Sequence, residues 1–316
     1  MSGPPQLERL FAGERRRLWG LAYRMTGSTS DADDVVQETF ARALDHPPAG
    51  GERDDAAWRP WLVRIAVNLA HDVYRRRRRR DYGGVWLPAA LETDAAPELD
   101  PANADGGDWA DAPDARYARL ESVTVAFLVA LEALTPRQRA VLLLRDVFDY
   151  SVRETAAALD LSEANVKVLL HRARAAMAAY DRAPTRPDAA LCARTQAVLA
   201  RFVTAVGSDD VGAVEALLAD DARGFGDGGG EFSASREPVV GGERLARFYW
   251  TLGRHNPASA VEVRVVNGLP ALLLRFPPGR PGIPERLVMH VQLDAADRIV
   301  AIRSVMARPK LHAIRS

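Results

Sequence analysis

Apolar positions recur every three or four residues along most of the first 180 residues, and the pattern breaks at a few punctuated places. From Leu7 to Leu44 the helical period is interrupted once, at Thr26-Gly27-Ser28-Thr29. Ser30 is then expected to cap a helix beginning Asp31-Ala32-Asp33-Asp34, whose acids suit the positive end of the helix dipole. A Pro- and Gly-bearing loop from His46 to Asp55 follows, and Trp58 to Tyr74 is again helical, running into Arg75 to Arg80. Between Thr135 and Met177 three helix starts are written in capping chemistry. Thr135 with Gln138 forms one capping box with Pro136 at the first helical position, Ser151 with Glu154 forms a second, and Ser162 caps a third helix. The short turn at Asp160-Leu161 packs the last two helices steeply, as a helix-turn-helix does.

Past a short linker from Arg182 to Asp188 the period changes. Helical stretches at about Ala190 to Val206 and Val211 to Leu218 precede a Gly-rich loop, Asp227-Gly228-Gly229-Gly230, and another helix lies near Gly242 to Leu252. Alternation then takes over. Val261, Val263 and Val265 alternate with Glu262 and Arg264, Asn267-Gly268 marks a hairpin turn, and Leu287, Met289, Val291 and Leu293 alternate with Val288, His290 and Gln292. The order predicts an α+β domain with a curved antiparallel meander. A chain of 316 residues, 47% apolar, exceeds what one core usually holds. The expected organisation is multidomain: two all-α domains at 1–80 and 117–182, an acidic flexible linker at 81–116, and the α+β domain at 190–316.

Charge sharpens this picture. The formal net charge of zero conceals six consecutive arginines, Arg75 to Arg80, followed by nine acids and no base before Arg116. The acidic stretch, rich in Ala, Asp, Pro and Gly, lacks the apolar surface to order itself. Cys192 is the single cysteine, the start MSGPPQLERL has no apolar core for secretion, and the uncharged run Val123 to Leu131 is shorter than the roughly 20 residues of a membrane span. A soluble cytoplasmic chain with no membrane association is expected. No metal site and no cofactor are expected.

On the last capped helix Val166, Leu169, Leu170 and Ala173 should face its neighbours. Asn165, Lys167, His171, Arg172 and Arg174 then point outward, with groups able to donate to phosphates and base edges; an ordinary solvated helix has the same pattern. Residues 135–182 hold eight Lys/Arg against six Asp/Glu, a weak electrostatic footprint for a DNA reader acting alone. Something else is expected to deliver this module to DNA.

Three segments in order carry a family resemblance: Asp31-Ala-Asp-Asp-Val-Val-Gln-Glu-Thr-Phe-Ala-Arg-Ala43, then Trp61-Leu-Val-Arg-Ile-Ala-Val-Asn-Leu-Ala70 with the arginine block, then the capped three-helix unit. The chain resembles the extracytoplasmic-function sigma factors, in the subgroup with a fused SnoaL-like C-terminal domain of cone-shaped α+β fold. The resemblance implies a subunit that directs RNA polymerase core to promoters and is not an enzyme. It implies that Asp34, Val35, Gln37, Glu38 and Phe40 meet the β′ clamp helices, although acids at a helix start are favoured by the dipole regardless. It also implies that the second DNA-binding domain meets the β flap.

The same resemblance sets the Trp58 helix against the promoter's minus-ten element, with Asn68 as a hydrogen-bonding group and residues 52–57 as a loop receiving a flipped base. Trp58 and Trp61 are readable as stacking faces or as core, and Arg75, Arg76 and Arg77 as phosphate contacts or as a solvated helix end. Base reading at the minus-thirty-five element falls on Lys167, Val168, His171 and Arg172, with Asn165 adjacent. Regulatory contacts between domains are implied at Trp86, Leu87 and Pro88 and at Asp227, Gly228, Gly229 and Gly230. The loop here continues to Glu231 where the family has lysine, the linker keeps Trp-Leu-Pro without the following acid, and the terminus reads Ala307-Arg-Pro-Lys-Leu311. No separate anti-sigma protein is required on this reading.

Two alternatives stay open at this point. One is an ordinary helix-turn-helix regulator fused to a small-molecule-binding domain. The other is a fused enzyme using Asp227, His255 or His290 in an acid-lined pocket.

Overall fold

The structure, a computed structural model, describes residues 4–48, 57–79, 84–93 and 116–315, without the side chains of residues 4–10, 78 and 79. Residues 52–56 of the expected base-receiving loop, Arg80 and the acidic stretch 94–115 lie outside the described residues. The chain divides into two compact units, one built from the first 80 residues with most of 116–184, the other from residues 84–93 with 185–315.

In the first unit α1 (Pro4–Thr26), α2 (Thr29–Asp45) and α3 (Trp58–Arg79) pack pairwise around a core that includes Leu18, Tyr23, Val36, Trp58 and Leu62. The break at Gly27 is where expected, but the capping residue is Ser28 rather than Ser30. Its hydroxyl accepts from the Asp31 N–H at 3.2 Å, because the chain turns at Gly27, with φ of 68°, one residue before the cap. Helix α3 does not stop at Tyr74 but continues to Arg79.

Four further helices follow: α4 (Val125–Ala130), α5 (Pro136–Asp146), α6 (Val152–Leu159) and α7 (Glu163–Ala176), closed by the single turn of α8 (Ala178–Arg182). Both capping boxes form in full, Thr135 with Gln138 and Ser151 with Glu154, and Ser162 caps α7 through the Asn165 N–H. Asp160 ends α6 in the left-handed conformation, φ 55° and ψ 51°, a position where a short polar side chain is tolerated. This turn sets α7 across α6 over a small core of Val141, Ala156, Val166 and Leu170.

The second unit places α9 (Ala189–Val206), α10 (Val211–Glu215) and α11 (Gly242–His255) against one sheet. Its strands are β1 (Leu218–Asp227), β2 (Val239–Val240), β3 (Ala260–Val266), β4 (Leu269–Arg275), β5 (Arg286–Leu293) and β6 (Ile299–Val305), in the order β2-β1-β6-β5-β4-β3. Strands β3 to β6 form the expected antiparallel meander, turning at Asn267-Gly268 with φ of 53° and 79°. Strand β1 is the departure. It runs parallel to β6, and its polar, Gly-bearing sequence gives no alternating signal. The glycines are there for packing: a Cβ at Gly224 would lie 2.4 Å from Leu245 Cδ1, so α11 lies directly on the strand. Among the described residues α9 is the one helix long and apolar enough to cross a membrane. Its apolar face instead joins Val198, Leu199 and Phe202 to Leu245, Leu272 and Ile302 in the core of this unit.

Replacing Ser151 by Ala removes the acceptor for the Glu154 N–H and lowers stability by about 1 kcal/mol. Urea unfolding of the full chain checks this, with the transition of the first unit moving to lower denaturant.

Candidate nucleic-acid interface and linker clamp

Helix α7 turns Val166, Leu170 and Ala173 inward and leaves Asn165, Lys167, Val168, His171 and Arg172 exposed, on neighbouring ridges at three- and four-residue spacing. An exposed valine among polar neighbours has the chemistry to meet a thymine methyl group, and the others carry groups able to donate to base edges or phosphates. Arg174 does not join this face. It binds the buried Asp146 through two bonds of 2.9 and 2.7 Å, and the first of these effects, hydrogen bonding to Asp146, raises its pKa. The bond ties α7 to the end of α5.

On α2, Asp34, Gln37 and Glu38 are exposed, while Val35 and Phe40 are buried, the Phe40 ring lying 4.7 Å from Phe11. Glu38 pairs with Arg42 at 2.7 Å. Leu44, 55% exposed, extends this acidic edge with an apolar end that a reading by helical period alone assigns to the core. On α3, Trp58 is fully buried, which decides between its two readings in favour of core. Trp61 is half-buried, its indole N–H donating to the His46 carbonyl at 2.9 Å with the Arg64 guanidinium 5.9 Å from its ring. Asn68, Arg75 and Arg76 are exposed, whereas Arg77 donates to the Thr26 carbonyl at 2.8 Å and to Glu132 at 2.5 Å.

Arg77 is one of several arginines joining the three-helix bundle to the helix-turn-helix segment. Arg24 of α1 is buried and donates to Ser122 Oγ at 2.7 Å and to the Arg119 carbonyl at 2.9 Å. Arg139 of α5 is buried and reaches back to the Met25 carbonyl at 2.8 Å, with Glu132 at 2.8 Å as its ion-pair partner. Arg64 of α3 donates to the Ala157 carbonyl of α6 at 2.7 Å. Burial, then the charge of Arg119, pulls Arg24 down to about 9, and burial lowers Arg139 as well, against the opposing charge of Glu132. Arg24 stays charged at neutral pH, so desolvation of a cation opposes a set of charge-assisted bonds.

The second unit carries the other cluster, where three sequence motifs meet. Residues 84–93, in the segment expected to be a flexible linker, lie extended on this unit and bury Leu87, Ala89, Ala90 and Leu91. The segment orders by borrowing apolar surface it cannot supply itself. The fully buried Asp227 accepts from the Leu87 N–H at 2.7 Å and from Lys310 Nζ at 2.6 Å, and Lys310 also donates to the Leu87 carbonyl at 2.6 Å. Lys310 sits 4.6 Å from the Trp86 ring centre. Farther along, the Asn267 N–H donates to the Leu91 carbonyl at 2.7 Å, and Glu92 pairs with Arg264 at 3.0 Å.

The glycine loop completes this clamp. Gly229 donates its N–H to the other Asp227 oxygen at 3.0 Å. A Cβ at Gly228 would meet the Phe232 carbonyl oxygen at 2.1 Å, and Gly229 and Gly230 have φ of 62° and 81°. Gly228 is excluded from carrying a side chain by this contact, and the other two sit in the left-handed region that favours glycine. Glu231, where the resembled family has lysine, lies only 3.9 Å from Arg308 at the surface, while the buried cation is Lys310 of the C-terminal segment.

The remaining polar candidates do not gather into a catalytic set. His255 is exposed at the end of α11 and contacts the Thr251 carbonyl at 2.8 Å. His290 is buried beside Arg303, its Nε2 without a hydrogen-bond partner, and burial followed by the Arg303 charge pushes it down to about 3. A cavity of about 750 Å³ opens in the same unit, and neither histidine nor Asp227 lines it.

Comparison with known proteins places these features in a class and then in a family. The model for Sigma-70 region 2 matches residues 10–80, and that for Sigma-70, region 4 matches residues 124–177. The chain is 34% identical over 317 residues to the ECF RNA polymerase sigma factor SigG of Mycobacterium tuberculosis, covering 94% of this chain and 80% of the relative. It is 33% identical over 291 residues to SigJ of the same organism, covering 90% and 85%. The crystal structure of M. tuberculosis SigJ superposes with a TM-score of 0.70 at 26% identity, covering 96% of this chain and 97% of that one. A DNA-binding initiation subunit is thus the class, and the chain belongs to the ECF RNA polymerase sigma factors.

Two outcomes follow from the clamp unit. Replacing Lys310 by Met leaves the Asp227 carboxylate buried without its cation, at a cost of about 3–5 kcal/mol, and hydrogen exchange at Leu87 accelerates accordingly. Native His290 refuses a proton that the unfolded chain accepts near its ordinary value of 6.5. Stability of this unit is therefore highest above about pH 6.5 and falls as the pH drops toward 3. The melting temperature between pH 7 and 5 should decline less steeply in His290→Gln than in the parent chain.

Proposed function

We propose that the chain carries its two DNA-reading halves locked together and exposes them to a promoter only when core polymerase separates them. As a sigma factor it directs RNA polymerase core to promoters and initiates transcription. The finer assignment gives the α2 edge, Asp34, Gln37, Glu38 and the exposed Leu44, to the β′ clamp helices, with Val35 and Phe40 holding that edge in place from below. Asn68, Trp61, Arg75 and Arg76 of α3 serve the minus-ten region, and Trp58 supports them from the core. Asn165, Lys167, Val168, His171 and Arg172 read the minus-thirty-five element, while the β flap positions this domain. The chain acts in the cytoplasm, and its own C-terminal unit takes the role of a separate anti-sigma protein.

The observation that carries this reading is the arginine contact between the bundle and the helix-turn-helix segment. Elements named for positions about 25 base pairs apart are separated by on the order of 80 Å along the duplex, at 3.4 Å per base pair. A compact body of about 145 residues has a radius of gyration of about 15 Å. The closed arrangement cannot reach both elements. Glu132 is the shared anion of Arg77 and Arg139, so it is the natural point at which to weaken the lock.

Substituting Glu132 by Gln should raise run-off transcription by core polymerase severalfold at limiting factor. Removing residues 190–316 should alter the same rate. Unchanged rates in both variants across several promoters would remove the lock and the regulatory role of the C-terminal unit together.

A further inference from the structure

The cavity of about 750 Å³ in the C-terminal unit falls in the size range of small-molecule sites, and its wall has an unusual property. Phe202, Leu272, Leu274, Phe276, Leu287 and Met289 are among its many apolar lining residues, and no acid, base or histidine lines it. The polar side chains are uncharged, with Ser233, Ser235 and Asn256 among the lining residues beside Tyr249 and Ser304. Tyr249 and Ser304 face each other with their hydroxyls 3.5 Å apart deep in the wall, and burial pushes Tyr249 up to about 12, so its hydroxyl stays protonated. A wall without charge cannot compensate a carboxylate or an ammonium, whose uncompensated burial is costly. The mouth is apolar too: Phe248, Leu252 and Val261 line it and remain 39%, 41% and 41% exposed.

The walls of this cavity run directly into the linker clamp. On β1, Gly226 lines the cavity and the next residue, Asp227, holds Leu87 and Lys310. Ser304 near the end of β6 and Met306 just past it line the cavity, and the Met306 and Ala307 N–H groups both bond the Asp227 carbonyl, at 2.9 and 3.2 Å. Ala307 then begins the turn that carries Lys310. Gly226 and Met306 are neighbours across this end of the cavity, since a Cβ on Gly226 would sit in ordinary contact with Met306 Cε, 3.4 Å away. An occupant that presses β1 and β6 apart at this end moves both partners of the buried ion pair at once.

We propose that this cavity is an effector site for an uncharged, largely apolar small molecule with one hydrogen-bonding group, seated at Tyr249 and Ser304, and that occupancy loosens the clamp on residues 84–93. The regulatory consequence rests on the reading that the C-terminal unit controls the factor, whereas ligand binding and clamp loosening do not. A ligand shifts the clamp only through different affinity for its closed and loosened forms. The strands shared by cavity and clamp supply that difference.

The test uses the full chain and N-phenyl-1-naphthylamine, an uncharged aromatic amine whose fluorescence rises in apolar surroundings. Saturable one-to-one binding is expected, with dodecanol displacing the probe at least tenfold more effectively than dodecanoate. Two cavity-filling variants, Leu274→Trp and Ala234→Phe, should each weaken probe binding at least tenfold, and their melting curves establish which are folded. A folded variant that binds as the parent does, or equal displacement by dodecanoate, overturns the site. Hydrogen exchange read by mass spectrometry on the peptide spanning 84–93 should quicken at least threefold with probe bound. Unchanged exchange at saturation overturns the coupling. The regulatory reading fails separately, if the probe binds and loosens the peptide while transcription by core polymerase stays the same.

Discussion

Buried arginines that donate to backbone carbonyls join the two halves of the first unit, and the proposed function turns on how strong that hold is. Arg24 and Arg139 each lose solvent to bond the opposite half, at carbonyls near Arg119 and Met25. The Arg139 Nε is left without an acceptor. Charge-assisted bonds of about 1.5–3 kcal/mol each are thus set against desolvation of two cations, and the difference is small compared with either side. An apolar interface of the same extent would be harder to part, because water offers nothing to its exposed faces. Water and nucleic acid both offer acceptors to a released guanidinium. The contact is suited to being broken and made.

The clamp in the second unit applies the same chemistry differently. Asp227 is fully buried and every contact around it is satisfied locally: Lys310, the Leu87 N–H and the Gly229 N–H share its oxygens. Removing any one partner leaves a charge or an amide without water, so this site holds its segment firmly. Residues 84–93 precede the acidic stretch that leads to the helix-turn-helix segment. The strap belongs with the C-terminal unit, although the sequence places it between the two sigma regions. Glu92 with Arg264 and Leu91 with Asn267 extend the hold by several residues.

Local features were legible in the sequence, and long-range ones were not. Capping boxes at Thr135 and Ser151 depend on residues three apart, and both formed as read. The Asn267-Gly268 turn and the inward stripe of α7 are equally local. The glycines after Asp227 were visible as a constraint, but not as the loop that turns a backbone N–H onto the carboxylate. Strand β1 was missed because its small residues answer to Leu245 and Tyr249 on α11, more than twenty positions away. Arg24 and Arg139 look like surface arginines on helices, since their partners are about a hundred residues distant. Arg174 reads as part of the outward face until Asp146 is placed beside it. Ser28 and Ser30, two positions apart, carry the same capping group, and only the turn at Gly27 decides which of them caps the helix.

The central claim is that the two reading halves are closed in the free factor and open on the promoter. A distance distribution between spin labels at Ala41 on α2 and Ala175 on α7, with Cys192 replaced by Ser, reads this directly. The account predicts a single short distance in the free chain, replaced by one several tens of ångströms longer when core polymerase and promoter DNA are added. A free chain that already shows the long distance, or a short one that persists in the promoter complex, would contradict it.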